Sequence, residues 1–364
     1  MRILIAPNAF KGTLTAARAC AAIAAGARSA FPGAVLDELP VADGGDGLLE
    51  ALLPALGGRF MRTRVEGPVG EPVTARWLLA GRTAVIEMAE ASGLRRMGGA
   101  ALRPLDASTR GVGQLMLAAV ASGAKEIAVG LGGSASNDGG AGCAQAFGFS
   151  LTDADGSPIP PGARGLAGIA AVFPGEARRR LRGVKVTGLA DVRNKLCGPL
   201  GSARVFGPQK GASPLEVAFM ERALERYARA LRSCLGVPVA GLRGGAAAGG
   251  LGAGLAAFFG AELDDGSSYV LGRLGFEARL ARADLVITGE GCFDAQTFYG
   301  KAPGAVIAAA RRLGVPAAVV CGRSLVARAA GVVRIAEAGL SPSPYAALRR
   351  AAAGLAGLRP ARRG

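Results

Sequence analysis

The sequence predicts an α/β protein that is built around a parallel sheet. Short apolar runs alternate with Ala-rich helical patterns at both ends of the chain, from residue 2 to about residue 60 and again from residue 283. Strands that alternate with helices in this way are typical of parallel sheets. The 364 residues include 58 glycines and only 5% aromatic residues, which suits tight turns between strands and helices. The length favours two domains.

The two terminal blocks predict one shared sheet. Their strand and helix patterns are residues 2–6, Thr15–Ser29, Val35–Val41 and Leu48–Leu56, then Asp284–Thr288, 303–313, 315–321 and 332–337. We expect the second block to complete the sheet that begins at residue 2, with the middle of the chain inserted. Two sequential domains that divide near residue 200 are the alternative.

The middle of the chain opens with a different pattern. Residues 60–90 alternate apolar and polar side chains, which predicts antiparallel hairpins and a second domain that begins near residue 62. Helical patterns follow at 112–122 and 214–235. Pro, Gly and Arg are frequent in residues 150–183, which we expect to form a variable surface region.

A glycine-rich stretch at residues 126–149 is the strongest candidate for a ligand loop. An apolar strand pattern ends in glycines and serines before a helical pattern begins. Backbone N–H groups at the start of a helix attract anions, and glycine lets a ligand approach them closely. We therefore favour a phosphate or nucleotide loop over a turn whose Ser and Asn cap a helix. Gly130, Gly132 and Ala135 fit a dinucleotide-binding fingerprint only in part, because further glycines interrupt the helix that it requires.

A second glycine-rich stretch, residues 241–261, also opens a helix. It either holds the same ligand from another side or supplies glycines for close packing. Within it, residues 244–261 carry no charge, but seven of them are glycine, so we expect no membrane span.

Composition narrows the classes of function. The 43 Lys and Arg residues exceed the 27 Asp and Glu residues and give a net charge of +16. The arginines are scattered and do not alternate with aromatic residues, so a solvated basic surface that steers an anionic substrate is favoured over a nucleic-acid interface. The chain has no histidine and no C-x-x-C pair among its six cysteines. This argues against zinc and favours a reduced, cytoplasmic location.

Charged side chains follow several of the predicted strands. The carboxyl ends of parallel strands meet at one edge of a sheet, where ligands of α/β proteins bind. The alternative for each carboxylate is that it only caps a turn. The residues concerned are Lys11, Asp43, Asp46, Asp191, Glu290, Asp294 and Lys301.

Taken together, the loops resemble those of the type-1 glycerate kinases, a family of bacterial enzymes that phosphorylate D-glycerate with ATP. The resemblance extends over nearly the whole chain to about residue 325, with its motifs in the family's order. These motifs are IAPNAFKGT (5–13), VADGGDG (41–47), EASGL (90–94), GLGGSASNDGGAG (130–142), ADVRN (190–194), VFGPQKGA (205–212), AAGGLGAG (247–254) and DLVITGEGCFDAQTFYGKAP (284–303).

The resemblance implies two α/β domains with the active site in the cleft between them. The first is a Rossmann-like or flavodoxin-like domain formed by residues 1–61 and 283–364, and the second is an inserted α/β domain formed by residues 62–282. The implied reaction transfers the γ-phosphoryl group of ATP, with Mg²⁺, to D-glycerate and favours 2-phosphoglycerate over 3-phosphoglycerate. The implied partners are a small substrate and a nucleotide, without nucleic acid or membrane, for a monomer or homodimer.

Phosphoryl transfer requires donors for the triphosphate, a carboxylate for Mg²⁺ and cations for the migrating group. Residues 130–142 are the first candidate for the triphosphate and residues 247–254 the second. We assign catalysis to Lys11, Asp43, Asp191 and Asp294, and metal binding to Glu290 and Asp294. Cofactor binding is assigned to Gly132, Gly133, Ser134, Ser136, Asn137, Asp138, Gly250, Gly252 and Lys210, and substrate binding to Asp46 and Lys301.

Two rival functions share some of these features. A dinucleotide-dependent oxidoreductase of small hydroxy or keto acids would use a similar turn between strand and helix. An anion-binding regulator without enzymatic activity would account for the basic charge.

Overall fold

The structure is a computed structural model that describes residues 1–98, 102–339 and 341–358. Its strands are β1 (Arg2–Pro7), β2 (Val35–Glu38), β3 (Arg59–Glu66), β4 (Pro72–Ala80), β5 (Thr83–Glu87), β6 (Glu126–Gly130), β7 (Ser150–Thr152), β8 (Ala171–Phe173), β9 (Lys185–Ala190), β10 (Glu262–Asp265), β11 (Leu285–Gly289), β12 (Cys292–Phe293), β13 (Ala317–Cys321), β14 (Arg323–Ser324) and β15 (Val332–Glu337).

The helices alternate with these strands over most of the chain. They are α1 (Ala16–Ala30), α2 (Leu48–Leu56), α3 (Ala89–Ser92), α4 (Arg110–Ala121), α5 (Ala141–Phe147), α6 (Gly162–Leu166), α7 (Ala177–Arg180), α8 (Ser202–Phe206), α9 (Pro214–Leu235), α10 (Leu251–Phe259), α11 (Gly266–Arg273), α12 (Phe276–Leu280), α13 (Ala302–Arg312) and α14 (Pro344–Ala353). Short 3₁₀ helices lie at Leu94–Met97, Pro208–Lys210, Ala247–Gly250 and Ala295–Phe298.

The chain divides into two compact units. Unit 1 contains Met1–Asp43, Glu50–Leu56 and Asp265–Gly364, and unit 2 contains Gly44–Leu49 and Gly57–Asp264. The domain boundaries predicted near residues 62 and 283 stay a prediction.

Unit 1 is organised around a five-stranded parallel sheet with the order β15-β13-β11-β1-β2. β1 from one end of the chain and β11 from the other are neighbours, as the βα pattern at both ends predicts. Apolar side chains such as Ile3, Ile5 and Ile287 are fully buried, which is expected for strands covered on both faces. α1 packs tightly on α14 at Gly26, where a Cβ atom would lie only 2.2 Å from the carbonyl oxygen of Arg349.

Unit 2 contains a six-stranded mixed sheet with the order β10-β9-β6-β5-β4-β3. β3, β4 and β5 pair in antiparallel fashion, which confirms the hairpins predicted over residues 60–90, and β5, β6 and β9 are parallel. The long helix α9 begins with a capping box, in which Ser213 and Glu216 satisfy each other's backbone N–H groups. Its Tyr227 is fully buried and donates a hydrogen bond of 2.8 Å to the carbonyl oxygen of Gly139.

One sequence expectation is wrong in its main point. Residues 150–183 do not lie only at the surface, because β7, α6, β8 and α7 occur there and Leu151, Leu166 and Val172 are buried in the core of unit 2. These elements are three to five residues long, too short to show a period in the sequence. Across the described ranges, the structure contains no helix with the length and apolar character needed to cross a bilayer.

Candidate active site

The loops that follow β1, β11 and β13 in unit 1 enclose a cavity of about 370 Å³. Four of the residues predicted for the site line it: Lys11, Asp43, Glu290 and Lys301. They come together because β1 and β11 are adjacent parallel strands, whose carboxyl ends meet at one edge of the sheet. We call this space the unit 1 cavity.

Asn8 and Asp43 form a buried polar pair at this cavity. Asn8 Nδ2 donates a hydrogen bond of 2.8 Å to Asp43 Oδ2, and Asn8 Oδ1 accepts one of 2.7 Å from the backbone N–H of Ala9. The Asn8 amide is therefore engaged at both ends and holds one oxygen of Asp43 in a fixed direction. The position of Asp43 is also secured upstream, because the N–H of Val41 donates to the carbonyl oxygen of Pro7 at 3.0 Å.

Glu290 faces the same cavity and is held by two donors. Thr297 Oγ1 donates to Glu290 Oε1 at 2.6 Å, and Lys301 Nζ lies 3.3 Å from Glu290 Oε2. Burial raises the pKa of Glu290, although the contacts with Thr297 and Lys301 oppose this shift. Asp294 Oδ1 is 3.7 Å from the same Lys301 Nζ and accepts a hydrogen bond of 2.8 Å from the N–H of Gln296. Glu290 and Asp294, the two predicted metal ligands, therefore both lie close to the ammonium group of Lys301.

In unit 2, the glycine-rich loop is organised by the buried carboxylate of Asp138. This carboxylate accepts hydrogen bonds from backbone N–H groups of Thr109 (2.8 Å), Gly140 (3.1 Å) and Gly142 (3.2 Å). The hydroxyl groups of Thr109 and Ser108 donate to it as well, at 2.9 and 3.2 Å. Asp138 is completely buried, and its hydrogen bonds go to protein groups. These contacts are those of a residue that fixes the conformation of the loop.

Most of this loop is packed against protein rather than exposed. A Cβ atom on Gly132 would lie 2.5 Å from the Cα atom of Gly45, which only glycine permits. Ser134, Ser136 and Asn137 are buried, whereas Gly133, with φ of +71°, is exposed. The Gly132–Gly133 corner is therefore the part of the loop with backbone open to solvent.

The second glycine-rich stretch packs on the first. The N–H of Gly139 donates to the carbonyl oxygen of Gly249 at 3.0 Å, and a Cβ atom on Gly250 would lie 2.9 Å from the Cα atom of Gly139. Gly252 is likewise buried, against the carbonyl oxygen of Gly244. Gly250 and Gly252 therefore contact other parts of the backbone, as expected if these glycines serve close packing.

Lys210 lies inside unit 2. Its Nζ donates a hydrogen bond of 2.6 Å to the carbonyl oxygen of Ser136, and the side chain is almost completely buried. Burial lowers the pKa of Lys210 to about 7, while the nearby charge of Asp138 opposes the shift. Lys210 therefore anchors the glycine-rich loop at Ser136.

Arg95, which follows the motif EASGL, is the centre of a cluster of charged residues that the sequence analysis did not predict. Arg95 is within 3.0 Å of Glu90, 3.4 Å of Glu87 and 3.1 Å of Asp46. Burial alone would raise the pKa of Glu90, but hydrogen bonds from Arg76 and the charge of Arg95 hold it below its usual value. Glu87 also accepts hydrogen bonds of 3.1 Å from the N–H groups of Gly47 and Leu49. The predicted substrate ligand Asp46 is thus tied to Arg95.

Comparison with known proteins assigns this arrangement to a family. The model of the glycerate kinase family matches residues 3–351. The chain belongs to the glycerate kinase family. It is 44% identical over 324 residues to a glycerate kinase from Bacillus subtilis (strain 168), covering 88% of this chain and 85% of the relative.

Other relatives agree with this assignment. A glycerate 2-kinase from Escherichia coli (strain K12) is 42% identical over 324 residues, covering 88% of this chain and 85% of the relative. A crystal structure described as glycerate kinase 2 from Salmonella typhimurium LT2 has a TM-score of 0.85 and 41% identity, covering 98% of this chain and 97% of that chain. The resemblance inferred from the motifs is confirmed, and the protein is a phosphotransferase that acts on glycerate. Neither rival function is favoured.

The carboxylates of this glycerate kinase do not form a closed metal site. Within the described part of the chain, no group of three or more Cys, Asp or Glu residues is arranged to hold a metal ion. Both oxygens of Glu290 already contact protein donors, so a cation there would compete with Lys301. Mg²⁺ is commonly bound by one or two carboxylates together with substrate phosphates and water. The residues present suit that mode, in which the nucleotide supplies most of the ligands.

The remaining predicted residue, Asp191, follows β9 in unit 2 and is half-buried. The predicted residues therefore fall into two sets. Lys11, Asp43, Glu290, Asp294 and Lys301 are in unit 1, whereas Asp46, the glycine-rich loops, Asp191 and Lys210 are in unit 2.

Proposed function

We propose that this glycerate kinase transfers the γ-phosphoryl group of ATP, in complex with Mg²⁺, to D-glycerate and releases 2-phosphoglycerate. The observation that carries the proposal is the unit 1 cavity, in which Lys11, Lys301 and the Asn8–Asp43 pair meet at the carboxyl edge of a parallel sheet. The choice of 2-phosphoglycerate is supported by the name of the Escherichia coli relative, glycerate 2-kinase.

In this proposal, Asp43 accepts the proton of the attacking hydroxyl group. Carboxylates have this role in other kinases, and the chain has no histidine that would compete for it. Asn8 holds one oxygen of Asp43 and so directs the other lone pairs of the carboxylate. Lys11 is exposed at the cavity and neutralises the migrating phosphoryl group, while Lys301 stays close to Glu290 and Asp294. Asp191 and Asp294 are retained as alternatives for proton transfer.

The nucleotide part of the proposal rests on the Gly132–Gly133 corner of unit 2. Exposed backbone N–H groups beside glycine suit phosphate oxygens. Asp138 and Lys210 hold the loop beside this corner through their hydrogen bonds to its backbone. Ser134, Ser136 and Asn137 are buried next to it, while Gly250 packs against Gly139 and Gly252 against Gly244. When bound, Mg²⁺ would supply charge neutralisation at the phosphates, and Glu290 and Asp294 are the carboxylates that we propose would hold it together with the nucleotide.

The experiment is a measurement of ADP release by the purified protein. We expect turnover only when ATP, Mg²⁺ and D-glycerate are all present, and none with L-glycerate or without the metal. The ³¹P signal of the product distinguishes the two isomers, because a phosphate on the C2 methine couples to one proton and a phosphate on the C3 methylene couples to two. A triplet would overturn the choice of 2-phosphoglycerate, and no turnover with ATP or GTP would overturn the proposal as a whole. The cytoplasmic location expected from the sequence stays a prediction.

A further inference from the structure

Charged side chains in the unit 1 cavity are not evenly paired. Three cations, Lys11, Lys301 and Arg323, line it together with the carboxylates of Asp43 and Glu290. Lys301 is compensated, since Glu290 lies 3.3 Å from its Nζ atom. In contrast, no residue of the described ranges forms an ion pair or side-chain hydrogen bond with Arg323 or Lys11. The cavity thus presents two available positive charges to an anionic ligand.

Arg323 extends from a backbone that is held firmly at the cavity. It begins the two-residue strand β14, which pairs in parallel with β12. Its N–H donates to the carbonyl oxygen of Gly291 at 3.0 Å, and the N–H of Gly322 donates to that of Glu290 at 3.2 Å. A Cβ atom on Gly322 would lie only 2.6 Å from the carbonyl oxygen of Gly291, so the two loops are in close contact. The base of the Arg323 side chain is therefore fixed relative to Glu290.

The two available cations differ in the ligand that each can recognise. A guanidinium group is planar and can donate two parallel hydrogen bonds to a carboxylate, whereas an ammonium group acts as a point charge. Ala338, Ala347 and Leu348 also line the cavity, and their apolar side chains offer no charge that would compensate Arg323. A small hydroxy acid bound here would meet one forked donor that matches its carboxylate, namely Arg323.

We propose that Arg323 binds the carboxylate of the acceptor and thereby makes the enzyme selective for a hydroxy acid over a neutral polyol of the same length. This inference rests on the proposed function, since it assumes that the unit 1 cavity holds the acceptor. Lys11 then remains available for the phosphoryl group, and Asp43 for the hydroxyl proton. Arg323 is a specificity-determining residue, because it contacts the end of the substrate that does not react.

The test compares acceptors that differ only in charge. Turnover of D-glycerate and of its neutral amide is measured for the wild type, Arg323→Gln and Arg323→Lys. Arg334→Gln is the matched control, because Arg334 is exposed in β15, belongs to the same unit as Arg323 and does not line the cavity. Charge-assisted hydrogen bonds of this kind correspond to a change of about 10- to 100-fold. We expect Arg323→Gln to lower kcat/KM for D-glycerate by this factor, mainly through KM, with Arg323→Lys in between.

The same variants should leave two other quantities within about 3-fold of the wild type. These are kcat/KM for the amide and KM for the nucleotide. If the amide is turned over too slowly, its inhibition constant against D-glycerate replaces kcat/KM. Equal losses with acid and amide would assign Arg323 a structural role, and a raised KM for ATP would assign it to the nucleotide phosphates. No change with any ligand would leave it a surface arginine. Each of these results overturns the inference, whereas a wild-type protein that does not turn over D-glycerate refutes the proposed function instead.

Discussion

Replacing Asp138 by Asn tests whether this carboxylate holds the glycine-rich loop together. An amide keeps the size but turns one acceptor oxygen into a donor. If the NH₂ group takes the place of Oδ2, the N–H groups of Thr109 and Gly142 lose their acceptor, and if it takes the place of Oδ1, that of Gly140 does. Each buried donor left unpaired costs about 1–3 kcal/mol. The remaining hydrogen bonds also weaken, because their acceptor no longer carries a charge. We therefore expect the free energy of unfolding to fall by about 2–4 kcal/mol.

The single tryptophan of the chain provides a local assay for this loss. Trp77 is buried in unit 2, so its fluorescence during urea unfolding reports on the unit that contains Asp138. The control is Asp153→Asn, because Asp153 caps an exposed turn through the N–H groups of Asp155 and Ser157. We expect that variant to change the free energy of unfolding by less than about 1 kcal/mol. If Asp138→Asn unfolds at the wild-type urea concentration yet no longer binds nucleotide, the carboxylate is a ligand contact and the structural reasoning fails.

Three further predictions concern single residues in the two units. Asp43→Asn should lower kcat for D-glycerate by about 10²-fold or more, as expected for a proton acceptor, and a near wild-type rate of ADP release would exclude Asp43 from that step. Burial lowers the pKa of Lys210 from 10.5 in the unfolded chain to about 7 in the folded protein, so the unfolded state binds more protons between these values and stability rises with pH. Relative to Lys210→Met, the wild type should gain about 2 kcal/mol between pH 7 and pH 9 in urea unfolding, and parallel pH profiles would contradict this. Gly132→Ala should cost about 1–3 kcal/mol because its Cβ atom would meet Gly45, whereas Gly241→Ala, which has open space, should not; equal effects would refute the close contact.

The residues of the unit 1 cavity were predictable because chain order determines which loops meet. Once β1 and β11 are recognised as strands of one parallel sheet, Lys11 and Lys301 follow at the same edge without knowledge of distances. Arg323 could have been found by the same rule, since it comes two residues after β13. It was missed because arginines are scattered along the whole chain, so one arginine after a strand does not stand out in the sequence.

The environment of the glycine-rich loop was not predictable in the same way. Glycines that allow a ligand to approach and glycines that allow another loop to approach produce the same sequence pattern. Only the structure shows that Gly132 packs on Gly45 while Gly133 is exposed. Likewise, Lys210 and Ser136 are 74 residues apart, and nothing in the local sequence indicates their hydrogen bond. Long-range polar contacts of this kind depend on tertiary packing rather than on local patterns.

The neighbourhood of β1 and β11 also fixes an order of events during synthesis of the chain. A hydrogen bond joins the backbone N–H of Arg2 to Asp284, 282 residues later. When the segment Gly57–Asp264 has left the ribosome, unit 2 has all of its residues, but β1 still has only β2 beside it in the sheet. The first strand to be made is therefore among the last to be enclosed. The apolar side chains of Ile3 and Ile5 are buried only after β11 and α14 have been synthesised. A nascent chain stalled before residue 285 exposes an apolar strand edge, which is the kind of surface that chaperones bind and that aggregates recruit.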